Sequence, residues 1–359
     1  MRWLFAQNVN YVGGRQKGKQ IMHMANELLS VPVATGTLVI AAGGLGLICR
    51  KVSKIVSSDK LPLMGILGAF IFAAQMVNFQ LPAMPGTSGH MVGAVLLAII
   101  LGPHLAAIVI SSVIIMQCLI FQDGGLLALG CNIINMGLVP SYVGYFLYKM
   151  VTTGQSNSWR TYIGAMLACL VALESGAVLV PVEATLSGVL AVPFSTFLIT
   201  MIGVHFLVGL VEGLITVAVL GYIQQVRPDL VLDSLPGKIR LSRKTVLVTL
   251  LVFAMIAAAG LSLLASKMPD GLEWSYLERP DQPDFKPVIA NENTAIKAVD
   301  RLQSRYTPMP DYTLRGASAE TSKAWTSFAG VSGSLLTMLA VWAGMSLMRR
   351  KEAKAMSGS

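Results

Sequence analysis

Nine stretches of this chain are apolar and nearly free of charge, at about 32–49, 61–80, 90–101, 104–121, 125–148, 160–181, 195–226, 245–266 and 325–348. Backbone amides carried into hydrocarbon find no water to bond, so a segment that crosses a bilayer must be a helix or part of a closed barrel. Continuous apolarity, as opposed to the strict alternation of barrel strands, selects helices. The expected fold is therefore an all-α, polytopic membrane protein. Composition agrees: 54% of residues are hydrophobic and 13% charged, where soluble domains carry roughly 25% charged residues. That balance excludes an ordinary cytosolic enzyme and a disordered chain. The net charge of +9 fits cytoplasmic loops beside lipid and does not point to nucleic acid. Cys49, Cys118, Cys131 and Cys169 lie in or at the ends of apolar segments, with no C-x-x-C spacing, and read as small core residues.

The division between the third and fourth stretches rests on Gly102-Pro103, because proline lacks the amide donor and glycine favours a turn. Charge supports the split. With it, the loops at 50–60, 149–160 and 227–244 and the tail after Met348 share one side, holding 4, 2, 5 and 4 Lys/Arg, whereas 81–89, 122–124 and 182–194 hold none. The positive-inside rule then places the Met22 region outside and the C-terminus in the cytoplasm, across the cytoplasmic (inner) membrane. The one long polar stretch, 267–323, contains Pro269, Pro280, Pro283, Pro287, Pro308 and Pro310. It reads as an irregular outside loop in which 291–305 has helical character, and the two spans flanking it read as a two-helix accessory module, 231–359.

Residues 1–21 oppose this orientation, with Arg2, Arg15, Lys17 and Lys19 and no acid. The run 3–12 is too short and polar for a signal peptide. The G-x-x-x-x-G-K sequence from Gly13 lacks its Ser/Thr, since Gln20 stands there, and no strand precedes it. A plainer reading is a mis-assigned extension, with translation starting at Met22; Lys17-Gly18-Lys19 can be encoded by a purine-rich ribosome-binding sequence. A chain beginning Met22-His23-Met24 offers a free amine, the His23 amide nitrogen and the His23 imidazole as donors in fused chelate rings, and His90 on the same outer side can supply a fourth nitrogen. Square-planar nitrogen coordination suits nickel(II) or copper(II). The bland alternative makes His23 an interfacial polar residue and His90 a helix-start residue.

Several ordered motifs also carry a family resemblance. Met22-His23-Met24-Ala25-Asn26-Glu27-Leu28-Leu29-Ser30, GAFIFAAQMVNFQLP (68–82), SGHMVGAVLLAIILGP (88–103), QDGGLLALGCNIINMG (122–137) and HFLVGLVEGLITVAVLGYIQQVRPDL (205–230) resemble the CbiM/NikM family. These are the substrate-capture (S) components of energy-coupling-factor transporters for cobalt and nickel. PDGLEW (269–274) and the last two spans resemble the small N subunit of such systems, fused as in NikMN chains. The resemblance implies a seven-helix S-component bundle over 22–230, a metal site formed by Met22, His23 and His90, and no catalytic cofactor. It also implies partners: two ATPase subunits and a coupling membrane (T) subunit, since this chain has no usable nucleotide motif. The transported ion would be Ni2+ or Co2+, taken up on the outer face. Asn26 stands where the resemblance implies an acid.

Three further polar groups fall inside apolar spans, where ionisable residues are costly unless paired or functional. His205 and Glu212, seven apart, share a helical face and read either as a structural pair or as coupling residues against a partner subunit. Glu174 has no evident partner in sequence. The 19 methionines read mainly as packing. Gly86-Thr87-Ser88-Gly89, with His205 as base, offers the alternative of an intramembrane serine protease (Ser88/His205), weighed against a helix-start serine. A self-sufficient cation channel is a third reading, without the repeated charged rings or carbonyl filters a pore would use. Loop 267–323 is expected to act on uptake and not on binding.

Overall fold

The computed structural model describes residues 23–81, 83–152, 158–232, 237–266, 268–276 and 293–357; residues 1–21 and Met22 lie outside them. Ser30 and Pro32 open α1 (Val31–Ile55), where the missing proline amide costs nothing because first-turn amides have no intrahelical partner. Val39, Ile40 and Leu47 of α1 face outward, as lipid-facing side chains should. α2 (Lys60–Gln75) is central, with Met64, Leu67, Ile71 and Phe72 fully buried. The chain then forms a small hairpin, β1 (Phe79–Gln80) and β2 (Ser88–Gly89), in register Phe79 with Gly89 and Gln80 with Ser88.

α3 (Ala94–Leu101) is separated from α4 (Pro103–Phe121) by Gly102 at φ +91°, a conformation open to glycine but not to L side chains. The Gly102-Pro103 split expected from sequence is thus present. α3, however, rises only about 12 Å, against about 30 Å of hydrocarbon. The stretch 90–101 is therefore a half-helix and not a full span. The irregular chain before it is buried in protein, with Thr87, Ser88, His90, Met91 and Val92 all buried, the condition under which non-helical backbone is tolerated at membrane depth.

α5 (Leu129–Asn132) continues through a wide π-type turn, Ile133–Leu138, into α6 (Val139–Thr152). Then follow α7 (Ser158–Leu186) and α8 (Phe194–Val226). α9 (Arg243–Ala259), α10 (Gly271–Tyr276), α11 (Thr294–Tyr306) and α12 (Ala319–Ser357) complete the chain. Among the described residues, six helices are long and apolar enough to cross a membrane: Val31–Lys54, Pro103–Phe121, Trp159–Leu186, Phe194–Val226, Arg243–Leu264 and Thr321–Arg349. α11 matches the helical character read at 291–305, with the Asn293 side chain capping its start through the Ala295 amide (2.9 Å).

Association inside lipid depends on close packing more than on the hydrophobic effect, so small residues collect at contacts. Gly65 and Gly68 of α2 lie against Met338 and Thr337 of α12, and Gly330 of α12 lies against the Ala258 carbonyl of α9. The last two spans consequently pack on the central helix of the preceding bundle. An Asp59–Arg243 ion pair (3.2 Å) ties α9 to the α1–α2 turn.

Candidate metal-capture site

The segment starting at His23 is laid along the polar chain between α4 and the π-type turn. Asn132 holds the Met24 backbone from both sides, accepting from its amide (2.9 Å) and donating to its carbonyl (3.2 Å). Gly125 donates its amide to the same carbonyl (3.0 Å). The Asn26 side-chain oxygen accepts from the amides of Leu127 (2.7 Å) and Ala128 (3.1 Å) at the start of α5, while its nitrogen donates to Asp300 (2.5 Å). Asn26 does this structural work with the oxygen that an acid would also offer. Its Asp300 partner belongs to α11.

His23 is 1% exposed, and its Nδ1 lies 2.9 Å from Asp123 Oδ1. The Tyr312 hydroxyl donates to the other Asp123 oxygen (2.6 Å). Burial, and then the Asp123 carboxylate, push the Tyr312 phenol well above its ordinary value, so it keeps its proton as a donor. Asp311 and Tyr312 both have positive φ (54° and 57°), a strained backbone for non-glycine residues. It places the Tyr312 ring flat on Phe121, with centroids 4.8 Å apart.

His90 follows β2. Its Nδ1 faces the Met91 carbonyl (3.2 Å), which leaves Nε2 toward the interior. Two residues on, the amides of Val92 (2.7 Å) and Gly93 (2.9 Å) donate to the two carboxylate oxygens of Glu212, and Gln75 donates to the Val92 carbonyl (2.9 Å). Glu212 thus anchors the start of α3 just after His90. It forms no pair with His205, whose Nδ1 contacts the Met201 carbonyl (2.8 Å).

The His23 and His90 rings stand 5.7 Å apart between centroids. They line a cavity of about 70 Å³ together with Met24, Asn132, His205 and Asp270. Asp270 comes from the long loop: its Oδ2 is 3.8 Å from His90 Nε2, and its Oδ1 accepts the Glu273 amide (2.7 Å) at the start of α10. Burial pushes the Asp270 carboxyl up from its ordinary range, opposed chiefly by His90. Ser88 fixes this turn, donating its amide to the Pro269 carbonyl (2.8 Å) and its hydroxyl to Met268 (2.9 Å) and Pro269 (3.2 Å) carbonyls. The Ser88/His205 protease reading is therefore corrected: Ser88 is a strand residue whose hydroxyl is spent on backbone, and the His205 nitrogen that a base would use to reach it is not hydrogen-bonded to it.

Among the described residues, no three His, Cys, Asp or Glu side chains already converge as a ready-made metal triad. Comparison with known proteins identifies the family: the model for CbiM, the cobalt uptake substrate-specific transmembrane region, matches residues 23–230, more than half of the chain. The chain belongs to the CbiM family. A PDGLE domain matches residues 244–350, so the CbiM part is joined to an accessory module as in fused NikMN proteins. A relative from Archaeoglobus fulgidus, named as a fused nickel transport protein NikMN, is 30% identical over 88% of this chain and 96% of its own. The cobalt transport protein CbiM of Geobacter sulfurreducens is 25% identical over 72% of this chain and 77% of its own. The crystal structure of a truncated transition metal transporter superposes with a TM-score of 0.50 at 29% identity, covering 57% of this chain and 99% of that one. The chain is thus a multi-pass membrane protein of a nickel and cobalt transport family.

The sequence singled out His23, His90, His205 and Glu212, and all four meet at or beneath the cavity. It did not single out Asp123, Asn132 or Asp270, although they lie within the family-like motifs at 122–137 and 269–274. Met24 and Met201, read as packing, also line the cavity. Both Glu174 oxygens are without a hydrogen-bond partner among the described residues, and nothing in the structure gives this residue a role.

Proposed function

We propose that this chain is the S component of an energy-coupling-factor importer, capturing Ni2+ or Co2+ from the outer face for ATP-driven uptake by two ATPase subunits and a T subunit. The capture unit is 22–230 and the accessory module 231–359, with the Met22 region outside the inner membrane and the C-terminus in the cytoplasm. The observation that carries this reading is the pair of buried imidazoles of His23 and His90, 5.7 Å apart between centroids and lining one cavity. The functional chain begins at Met22, so that the Met22 amine, the His23 amide nitrogen and imidazole, and His90 bind one ion.

Closing a six-membered chelate ring with its own amide takes Nδ1 of His23, the atom now 2.9 Å from Asp123. Loading exchanges that contact for the ion. Because the amide must lose its proton and both imidazoles must be neutral, capture releases protons.

A native mass spectrum of the protein expressed from its own gene, with Ni2+ and Co2+ offered at equal concentration, tests the proposal. The expected species begins at Met22, carries one ion, and loses it in His23→Ala and His90→Ala. A chain that binds no ion, or binds equally well in both variants, refutes the site.

A further inference from the structure

The accessory module reaches into the cavity with one charged atom, and the surroundings of that atom show what it is for. Asp270 is 4% exposed. Its Oδ1 is committed to capping α10, while Oδ2 points past the cap toward His90 Nε2 at 3.8 Å. That distance is too long for a hydrogen bond. It is the span expected across a single ion bonded to both atoms at about 2.0–2.2 Å. A buried carboxylate is costly without a cation, and the groups around this one supply none that is permanent: His90 and His205 are imidazoles, and Asp123 is a second carboxylate.

The position is also built from both parts of the chain. Ser88, two residues before His90, pairs in parallel with Asp270, and the hydroxyls of Thr87 and Ser88 hold the Met268 and Pro269 carbonyls. The atoms that fix the His90 loop therefore also fix Asp270, and the two side chains keep their spacing across an interface between segments 180 residues apart.

We infer that Asp270 is an ion-binding residue, through which the accessory module adds a carboxylate oxygen to the divalent-cation site at His90. The inference rests on the capture site proposed above and deepens it. An oxygen donor suits first-row ions that accept more than four ligands. It also makes the accessory loop a participant in binding, where the sequence suggested an effect on uptake alone.

The test uses the full chain in lipid nanodiscs, titrated with Co2+ and with Ni2+ against a competing chelator, with the visible absorption of bound Co2+ recorded. Asp270→Asn removes the charge but keeps an N-cap, since asparagine caps as well as aspartate. It is expected to weaken Co2+ binding at least about tenfold, since losing even an outer partner of a metal ligand usually costs on the order of ten- to hundredfold, and to change the Co2+ spectrum. Asp270→Glu, which retains the carboxylate, is expected to recover part of both. Unchanged affinity and spectrum in Asp270→Asn, in a chain where His90→Ala abolishes binding, overturn the assignment and leave the capture site standing. Binding that survives His23→Ala and His90→Ala removes the site and this assignment together.

Discussion

Glu212 offers a quantitative test of how the site is held. Its two oxygens accept the amides of Val92 and Gly93 at 2.7 and 2.9 Å, and the carboxylate is 1% exposed. Glu212→Ala leaves two buried amides unpaired at about 1–3 kcal/mol each, so the expected loss is roughly 2–6 kcal/mol. The loss falls on the start of α3, two residues beyond His90. Any part of that order which metal binding must restore weakens affinity tenfold per about 1.4 kcal/mol. Glu212→Gln keeps one acceptor but turns an amide nitrogen toward a backbone donor, and is expected to fall between wild type and alanine. Thermal unfolding of the full chain in detergent, with chelator-competition titrations of Ni2+ on the same preparations, measures both effects. A Glu212→Ala protein that unfolds with wild-type stability and binds Ni2+ with wild-type affinity would show that this carboxylate does not support the His90 loop.

Other outcomes follow from the same contacts. In Gly125→Ala the new Cβ presses on the Asn26 side-chain oxygen and lies 2.5 Å from its backbone nitrogen; the overpacking is expected to cost about 1–3 kcal/mol and to reduce ion affinity, checked by the same titration. Tyr312→Phe keeps the ring on Phe121 but strips Asp123 of a donor, for an expected loss of about 1–3 kcal/mol in thermal unfolding of the metal-free chain. Protons compete for the imidazole and amide nitrogens, so affinity is expected to fall steadily from about pH 8 to about pH 6; a titration flat across that range contradicts nitrogen ligation. Excess Ni2+ is expected to raise the thermal midpoint, and a chelator to reverse the rise, because an ion bound only by the folded state stabilises it.

The helices were legible because lipid solubility is a local property. Each apolar stretch reports its own fate, and Gly102-Pro103 marks its break by local backbone chemistry. The π-type turn at Ile133–Leu138 left no such mark, since its residues are ordinary in a helix and the distortion belongs to the packed state. His23 and His90 were legible because histidine is scarce, with four in the chain. Asp123 and Asp270 were not, because what makes them part of the site is proximity to a histidine remote in sequence, 100 residues away for Asp123 and 180 for Asp270. The loop 267–323 looked irregular for a related reason: its prolines end regular structure, and its role is set by where Asp270, Asp300 and Tyr312 arrive. His205 and Glu212 do share a face, as the seven-residue spacing requires, yet what they share is a cavity and its anchor, not a bond.

Leu232 donates its amide to the Ile99 carbonyl (3.2 Å) near the end of α3, a few residues beyond the Arg227–Asp229 ion pair, so α3 ends next to a charged segment. The beginning of α3, with the His90 loop leading into it, stands about 12 Å from that segment. An ion held there would have entered the electric field of an energised membrane before any partner subunit acted on it. For a divalent ion a 100 mV drop is worth about 4.6 kcal/mol, so even a third of the drop amounts to about 1.5 kcal/mol. On the proposed reading, with the ion entering from outside, capture on such a half-helix is expected to be voltage-sensitive, an inside-negative membrane tightening the hold on the ion about tenfold.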